Sequence, residues 1–381
     1  MTKSIKRSYI REILDATNKE TISFAGGLPD ENLFPMEKLK NASLKVLDDS
    51  SSMQYSKSQG IEDLREKIAK LYTKYFDFPT TKDEILITTG SQQAFDIISK
   101  TFLEKEVIVQ TPTYIGALSA FKVLDLKVKD FKYIGSLNYQ LKKDNGLYVM
   151  SDFANPNAKS LEKEERKEIA HILNKKGSFL IEDAAYSLLD FDGKIKKPIS
   201  AYYQKSFHLG SFSKIVAPGL RVGWIRCDKK FIEKILVSKE ALDLHTPTLN
   251  QMILNQFLED NDLFEHLKKI RMDYKEKMEF MASCFKKYIP SFQFEKPNGG
   301  MFIYGKFQED SFLLAKEVLK KNIAFVPAQV FFADSKKSKE ARFNFTNSSK
   351  KQIEKGIKEI SNMIITKNES IWFKMFKERL S

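Results

Sequence analysis

Residues 85–111, ILITTGSQQAFDIISKTFLEKEVIVQT, contain one complete strand–helix–strand unit. The β-rich run 85–89 predicts a strand that ends at Gly90, and residues 91–103 predict a helix with Ser91 near its cap. Residues 107–111 predict the next strand, which ends before Pro112. Strands that alternate with helices in this way are typical of a parallel sheet.

The same alternation continues through the middle of the chain. Strands are predicted over residues 147–153, 178–183 and 205–212, and a polar helix over residues 161–176. We therefore expect an α/β fold with a mostly parallel sheet, whose ligands bind at the carboxyl ends of the strands. A long helix from about residue 262 and the short strands after it predict a second, smaller α+β domain. The expected division is an N-terminal arm (1–30) that joins the small domain, a large domain (31–262) and a C-terminal small domain (263–381).

Composition excludes several classes of function. The 381 residues are 42% apolar and 30% charged, as in ordinary globular enzymes, and no apolar run is long enough to span a membrane. The net charge of +13 comes from lysines interleaved with acidic residues, as in EKEERKE (162–168), which indicates a solvated surface rather than a nucleic-acid site. Cys227 and Cys284 are far apart and the four histidines are scattered, so we expect a cytoplasmic protein without a metal site.

Polar residues follow the predicted strands, and each has a structural and a functional interpretation. Gly90–Gln92 could bind an anion at a helix N-terminus or form a plain capped turn. Asp183 could hold a protonated ring nitrogen or cap a helix. Tyr186 could donate to a ring oxygen or pack in the core, and Asn155 could form only an Asx turn. Tyr114 could stack on a ring or serve in packing.

Lys214 and Arg221 favour the functional interpretation. Lys214 lies in the compact, turn-rich stretch GSFSKIVAPGLRVGW (210–224), and a lysine in a partly apolar site becomes a usable amine nucleophile. Arg221 follows seven residues later, and its guanidinium suits a phosphate. A phosphate cradle, an acid for a ring nitrogen, a stacking aromatic ring and a nucleophilic lysine are together what pyridoxal 5′-phosphate (PLP) requires.

The chain resembles the class I/II aminotransferases of PLP fold type I. The resemblance is closest to the branch with the 2-aminoadipate and kynurenine aminotransferases and the aminotransferase-like domains of MocR regulators. It covers nearly the whole chain in order and implies a seven-stranded sheet in the large domain. The stretches that carry it are RSYIREIL (7–14), ISFAGGLPDENLFP (22–35), MQYSKSQGIEDLR (53–65), TTGSQQAFD (88–96), TPTYIGAL (111–118), IEDAAYSLL (181–189), LGSFSKIVAPGLRVGW (209–224), PNGGMF (297–302) and ARFNFT (341–346).

The resemblance implies roles for the cofactor-binding residues. Lys214 would form the Schiff base and move the substrate proton, and Asp183 would pair with the ring nitrogen. Tyr186 and Asn155 would contact the ring oxygen, and Tyr114 would stack on the ring. The phosphate would be bound by Ser91, Gln92, Ser211 and Arg221, with Tyr55 reaching it from the second subunit of a homodimer.

The resemblance also implies how substrates bind. Arg342 would hold the α-carboxylate of the amino acid or 2-oxo acid with help from Asn155. Gly26 and Gly27 would line the pocket, and Arg11 is a candidate for a distal carboxylate. The implied activity is transfer of an amino group from an L-amino acid to a 2-oxo acid such as 2-oxoglutarate. A carbon–sulfur lyase, a decarboxylase, an aldolase or a PLP-sensing domain without turnover remains open, because the fold does not decide the reaction.

Two residues depart from the family's usual sequence, and the C-terminal tail has an apolar pattern of its own. Ala158 and Ala328 stand where the family commonly has glycine, and alanine takes positive φ less readily. In the tail 367–381, Ile371, Trp372, Met375 and Phe376 lie at helical spacing. That spacing predicts packing on the chain's own domain, with a membrane-surface or partner helix as the alternative.

Overall fold

The computed structural model describes Ile13, residues 18–143 and residues 145–380, with the side chains of the last helix described as far as Thr366. Eleven α-helices are present in this part of the chain, numbered α1 to α11 here. They are Met36–Leu47, Glu62–Tyr75, Ser91–Phe102, Ile115–Val123, Leu137–Gln140, Lys163–Lys176, Ile232–Asp243, Thr248–Asp260, Leu263–Tyr288, Ser311–Leu319 and Lys350–Leu380. The apolar residues of the tail lie outside the described side chains.

Thirteen strands, β1 to β13, accompany these helices in the described residues. They are Ile22–Ser23, Ile85–Thr88, Glu106–Gln110, Lys127–Phe131, Gly146–Val149, Phe179–Asp183, Ser206–Ser211, Gly223–Cys227, Gln293–Phe294, Phe302–Lys306, Ile323–Ala324, Val326–Pro327 and Glu340–Asn344. The predicted strand–helix–strand unit is confirmed, since it corresponds to β2, α3 and β3.

Seven strands form the main sheet, in the order β2-β8-β7-β6-β5-β3-β4. The pairs among β4, β3, β5, β6 and β7 are parallel, whereas β8 runs antiparallel to both its neighbours. Strands β5 and β7 are buried along their whole length, because helices cover both faces of a parallel sheet. The expected α/β class and seven-stranded, mostly parallel sheet are thus confirmed.

A second sheet of four strands, β12-β13-β10-β9, is built from residues 293–344, and all its pairs are antiparallel. The 26-residue helix α9 leads into it and buries Leu267, Ile270 and Met281 along one stripe. Strand β1 pairs in parallel with β11, so the start of the described chain lies beside this sheet-containing part. The domain bounds at residues 30 and 262 stay a prediction.

Within the described residues, no helix has both the length and the apolar composition needed to cross a bilayer.

Candidate active site

Lys214 lies at the carboxyl end of β7, where a 3-10 turn, Phe212–Lys214, follows the strand. The Ser211 hydroxyl accepts a hydrogen bond from the Ser213 N–H at 3.1 Å and so caps this turn. The Lys214 ammonium donates to the Gly27 carbonyl at 2.6 Å. Burial lowers the pKa of Lys214 to about 8, and the charges of Arg342 and Arg221 act in the same direction. About a tenth of this amine is therefore neutral, and nucleophilic, at pH 7, far more than for an ordinary lysine.

Asp183 ends the neighbouring strand β6 and is buried. Its Oδ1 accepts from the Ala185 N–H at 3.2 Å, and its Oδ2 accepts from the Tyr148 hydroxyl at 2.9 Å. Burial raises the pKa of Asp183 to about 6 despite these two donors. No lysine or arginine of the described chain pairs with it, so the carboxylate can take an external cationic or N–H partner.

Arg342 is the buried cation of the site and lies on β13. Its Nη1 donates to Asn155 Oδ1 at 2.7 Å, and its Nη2 donates to the Ala25 carbonyl. Its Nε has no hydrogen-bond partner in the described structure, nor does any described carboxylate pair with the guanidinium. Burial lowers the pKa of Arg342 to about 10, so the group stays charged at neutral pH. A buried, unneutralised guanidinium of this kind suits a carboxylate ligand.

Asn155 connects Arg342 to Tyr186. Its Oδ1 is taken by Arg342, and its Nδ2 donates to the Tyr186 hydroxyl at 3.4 Å. Burial raises the pKa of Tyr186, so its hydroxyl keeps its proton and can act as a donor. Arg342, Asn155 and Tyr186 therefore form one connected group next to the Lys214 loop.

The opposite end of the site is the turn before α3. A Cβ on Gly90, which has φ +78°, would lie 2.5 Å from Arg221 Nη2, so the guanidinium packs directly on this glycine. Arg221 Nη2 donates to the Thr89 carbonyl and Nη1 to the Pro218 carbonyl, each at 3.3 Å. The buried Ser91 Oγ has no partner among the described residues. Unused donors at a helix N-terminus beside an arginine match a phosphate.

Of the remaining predicted residues, some have contacts near the site, Tyr55 lies away from it, and one is outside the described chain. The Tyr114 ring packs over Gly116, and Gln92 Nε2 donates to the Gly116 carbonyl at 3.3 Å. A Cβ on Gly27 would lie 3.4 Å from the Phe302 ring, and Gly26 is buried. Tyr55 is 78% exposed and contacts the His245 ring instead of the site of its own chain. Arg11 lies outside the described residues.

Three aromatic residues that contact the site were not predicted from the sequence. Tyr148, the hydrogen-bond partner of Asp183, lies in the middle of an apolar strand, where a tyrosine normally indicates core packing. Phe302 and Phe331 lie against the Arg342 guanidinium, with 4.3 and 5.1 Å between its Cζ and the ring centroids. Phe302 belongs to the quoted PNGGMF stretch, which was the only available signal.

The two alanines in family glycine positions behave differently. Ala158 has φ +56°, in the left-handed region that favours glycine, whereas Ala328 starts a 3-10 turn and is not among the residues with positive φ. The expected backbone cost is therefore present at Ala158 alone.

Comparison with known proteins gives the family. The model of the aminotransferase class I and II family matches residues 20–360. Aromatic-amino-acid aminotransferase 1 of Thermococcus litoralis is 32% identical over 94% of this chain and 92% of its own length. The 2-aminoadipate transaminase of Thermus thermophilus is 31% identical over 94% of each chain. A crystal structure of Pyrococcus horikoshii kynurenine aminotransferase with PMP (pyridoxamine 5′-phosphate) has a TM-score of 0.89 at 30% identity, covering 96% of each chain. The chain belongs to the class I and II aminotransferases.

Proposed function

We propose that this aminotransferase uses PLP to move the amino group of an L-amino acid to a 2-oxo acid, with 2-oxoglutarate as the first acceptor to test. The observation that carries the proposal is a set of charges without counter-ions in the described chain. Asp183 lacks a cation, and Arg342 and Arg221 lack an anion. A protonated ring nitrogen, a substrate carboxylate and a cofactor phosphate would complement these three charges, in that order.

The donor set fits the cofactor. The unpaired Ser91 Oγ and the Arg221 guanidinium on Gly90 support phosphate binding at the N-terminus of α3. Ser211 and Gln92 belong to the same proposed group, and Tyr114 is proposed to stack on the ring. When bound, PLP supplies an aldehyde that condenses with amines and a ring that withdraws electrons from the carbon next to the nitrogen.

The chain's own residues supply orientation and proton transfer. Arg342 would bind the α-carboxylate through its fork of donors, and Asn155 keeps that fork in place through Nη1. Lys214 Nζ, with a pKa of about 8, would take the α-proton of the amino acid and return it at another carbon. Asp183 would keep a proton on the ring nitrogen, and Tyr186 would donate to the ring oxygen.

We also propose a cytoplasmic homodimer with shared sites. Tyr55 and Arg221 are both exposed in the single chain, which supports burial by a second copy, and Tyr55 would then reach the phosphate of the partner's site. The two cysteines, Cys227 and Cys284, are free and buried, which supports a reducing compartment.

The test is the visible absorbance of the purified protein with PLP, recorded before and after addition of single amino acids. We expect a band that Lys214→Ala lacks, which one or more amino acids bleach and a 2-oxo acid restores. Complete absence of the band would overturn the cofactor assignment. A band that no amino acid bleaches would favour the lyase, decarboxylase or sensing alternatives.

A further inference from the structure

A buried ion pair that has no role so far lies beside the turn before α3. Lys239, on α7, is fully buried, and its ammonium donates to Asp243 Oδ1 at 2.9 Å and to Gln93 Oε1 at 3.1 Å. Burial lowers the pKa of Lys239, while Asp243 acts in the opposite direction. A lysine is seldom fully buried, and here Asp243 supplies the opposite charge that burial requires.

The partners of Lys239 converge on Thr89, the residue before Gly90. Gln93 Oε1 accepts from the Thr89 N–H at 2.8 Å, and Gln93 Nε2 donates to Asp243 Oδ2 at 2.6 Å. The Thr89 hydroxyl donates to the same Asp243 oxygen at 2.9 Å. The Thr89 carbonyl, in turn, accepts from Arg221 Nη2. Thr89 is thus fixed through its N–H, its hydroxyl and its carbonyl.

We infer that Lys239 is a positioning residue for phosphate binding, which acts through Gln93 and Asp243 on the Thr89–Gly90 turn. The inference rests on the proposed function, because that function places the cofactor phosphate at this turn. The ammonium orients the Gln93 carbonyl oxygen and one Asp243 oxygen, and those two groups hold Thr89. Thr89 then fixes both the start of α3 and the Arg221 guanidinium, so that their donors point at one anion.

Lys239→Met is the variant that isolates this effect. Methionine fills the apolar space of the lysine stem, and the Asp243 side chain is 29% exposed, so its carboxylate stays solvated. The Asp243 and Gln93 side chains lose the ammonium that orients them. The reverse change, Asp243→Asn, would leave the Lys239 charge buried without a counter-ion and would test stability instead.

The experiment compares pyridoxamine 5′-phosphate with pyridoxamine on cofactor-free protein by isothermal titration calorimetry. The two probes differ only in the phosphate, and neither carries an aldehyde that would react with the many surface lysines. We expect Lys239→Met to raise the Kd of the phosphorylated probe about tenfold and to leave the pyridoxamine Kd unchanged, since about one charge-assisted hydrogen bond is misaligned. Gln93→Ala, which removes the hydrogen bond to the Thr89 N–H but leaves the ion pair, should give the same selective loss.

The matched control is Ser238→Ala. Ser238 bonds Thr101 at 2.7 Å and thus joins α7 to the far end of α3, without contact to the turn. This variant should leave both dissociation constants unchanged, and urea unfolding checks that every variant is folded. An unchanged preference for the phosphorylated probe in both Lys239→Met and Gln93→Ala would overturn the inference. If the unmodified protein itself shows no such preference, the proposed phosphate site fails, and the inference with it.

Discussion

Tyr148 donates a hydrogen bond to Asp183 across 2.9 Å, from the strand next to the one that Asp183 ends. The residues are 35 positions apart in sequence, and the register of β5 against β6 brings them together. Two donors, Tyr148 and the Ala185 N–H, therefore orient the carboxylate that is proposed to hold the cofactor ring.

Tyr148→Phe is expected to lower kcat/KM about tenfold. The substitution removes one hydrogen bond to a charged group, of about 1.5–3 kcal/mol, and leaves the carboxylate freer to turn away from the ring nitrogen. Steady-state kinetics at saturating PLP would measure the loss. Tyr203→Phe is the control, because it removes a buried tyrosine hydrogen bond of 2.6 Å, to Ser178, at the other end of β6. Equal losses in the two variants would contradict a specific role for Tyr148.

The stability of the cofactor-free protein should depend on pH through Asp183. Its pKa in the folded protein, about 6, is above the ordinary value of 3.8. The protonated Asp183 carboxyl therefore contributes its full share of the unfolding free energy below pH about 4. That contribution is lost as the pH rises to about 6. Relative to the original protein, Asp183→Asn should gain about 2 kcal/mol of unfolding free energy between pH about 4.5 and pH about 7. Urea unfolding at both pH values measures the change, and a difference independent of pH would refute the assignment.

Arg342→Lys should discriminate between substrates with and without a carboxylate. For an α-amino acid we expect kcat/KM to fall roughly 100-fold or more, because lysine cannot replace two parallel hydrogen bonds. For the corresponding amine, which lacks the carboxylate, the rate of the first half-reaction should be nearly unchanged. Stopped-flow absorbance follows both reactions, and the amine serves as the internal control. Similar losses for the two substrates would show that Arg342 acts on the fold and not on the carboxylate.

Ala158→Gly is expected to stabilise the protein by about 1 kcal/mol. Alanine at φ +56° costs energy that glycine does not, and this gain outweighs the extra flexibility of glycine in the unfolded chain. Ala328→Gly is the matched control and should destabilise by about 0.5–1 kcal/mol, because Ala328 has no positive φ to relieve. Thermal or urea unfolding gives the sign, and the same sign for both variants would contradict the argument.

The role of Tyr55 can be tested by mixing subunits. We expect a dimer of about twice 44.0 kDa in sedimentation equilibrium, and about a tenfold loss of activity in Tyr55→Phe. Lys214→Ala alone should be inactive. If Tyr55 serves the partner's site, a mixture of the two variants contains hybrids with one complete site, and its activity should exceed that of Tyr55→Phe. If Tyr55 serves its own chain, mixing would only dilute the activity.

The sequence predicts the strands of the main sheet that a local pattern marks, and it misses β4 and β8. Strands β3 (EVIVQ) and β5 (GLYV) carry uninterrupted apolar runs, since helices cover both faces of the sheet, and such runs are visible in a single sequence. Strand β4, at one edge of the sheet, reads KVKDF and is largely half-exposed, so its pattern does not distinguish it from a loop. Strand β8 lies directly after the Lys214–Arg221 stretch and was not predicted.

The residues of the site, like the strands, can be predicted only where a local pattern marks them. Asp183 ends β6, and Lys214 and Arg221 follow the neighbouring strand β7, so local sequence sufficed to group them. The Tyr148–Asp183 hydrogen bond depends on strand register, and the indirect link from Lys239 to Thr89 through Gln93 and Asp243 depends on the direction of a buried side chain. Neither property is encoded in short sequence patterns, because both are decided by packing between distant segments.

The hydrogen bond from Arg342 to the Ala25 carbonyl spans 317 positions of the chain. The pairing of strand β1 with strand β11 joins residues that are similarly far apart in sequence. During synthesis, every residue proposed to bind the cofactor has left the ribosome once Arg221 has emerged, whereas Arg342 appears about 120 residues later. A nascent chain can therefore assemble the proposed phosphate pocket well before the proposed carboxylate site, because Ala25 has no partner for its carbonyl in that site until Arg342 has emerged.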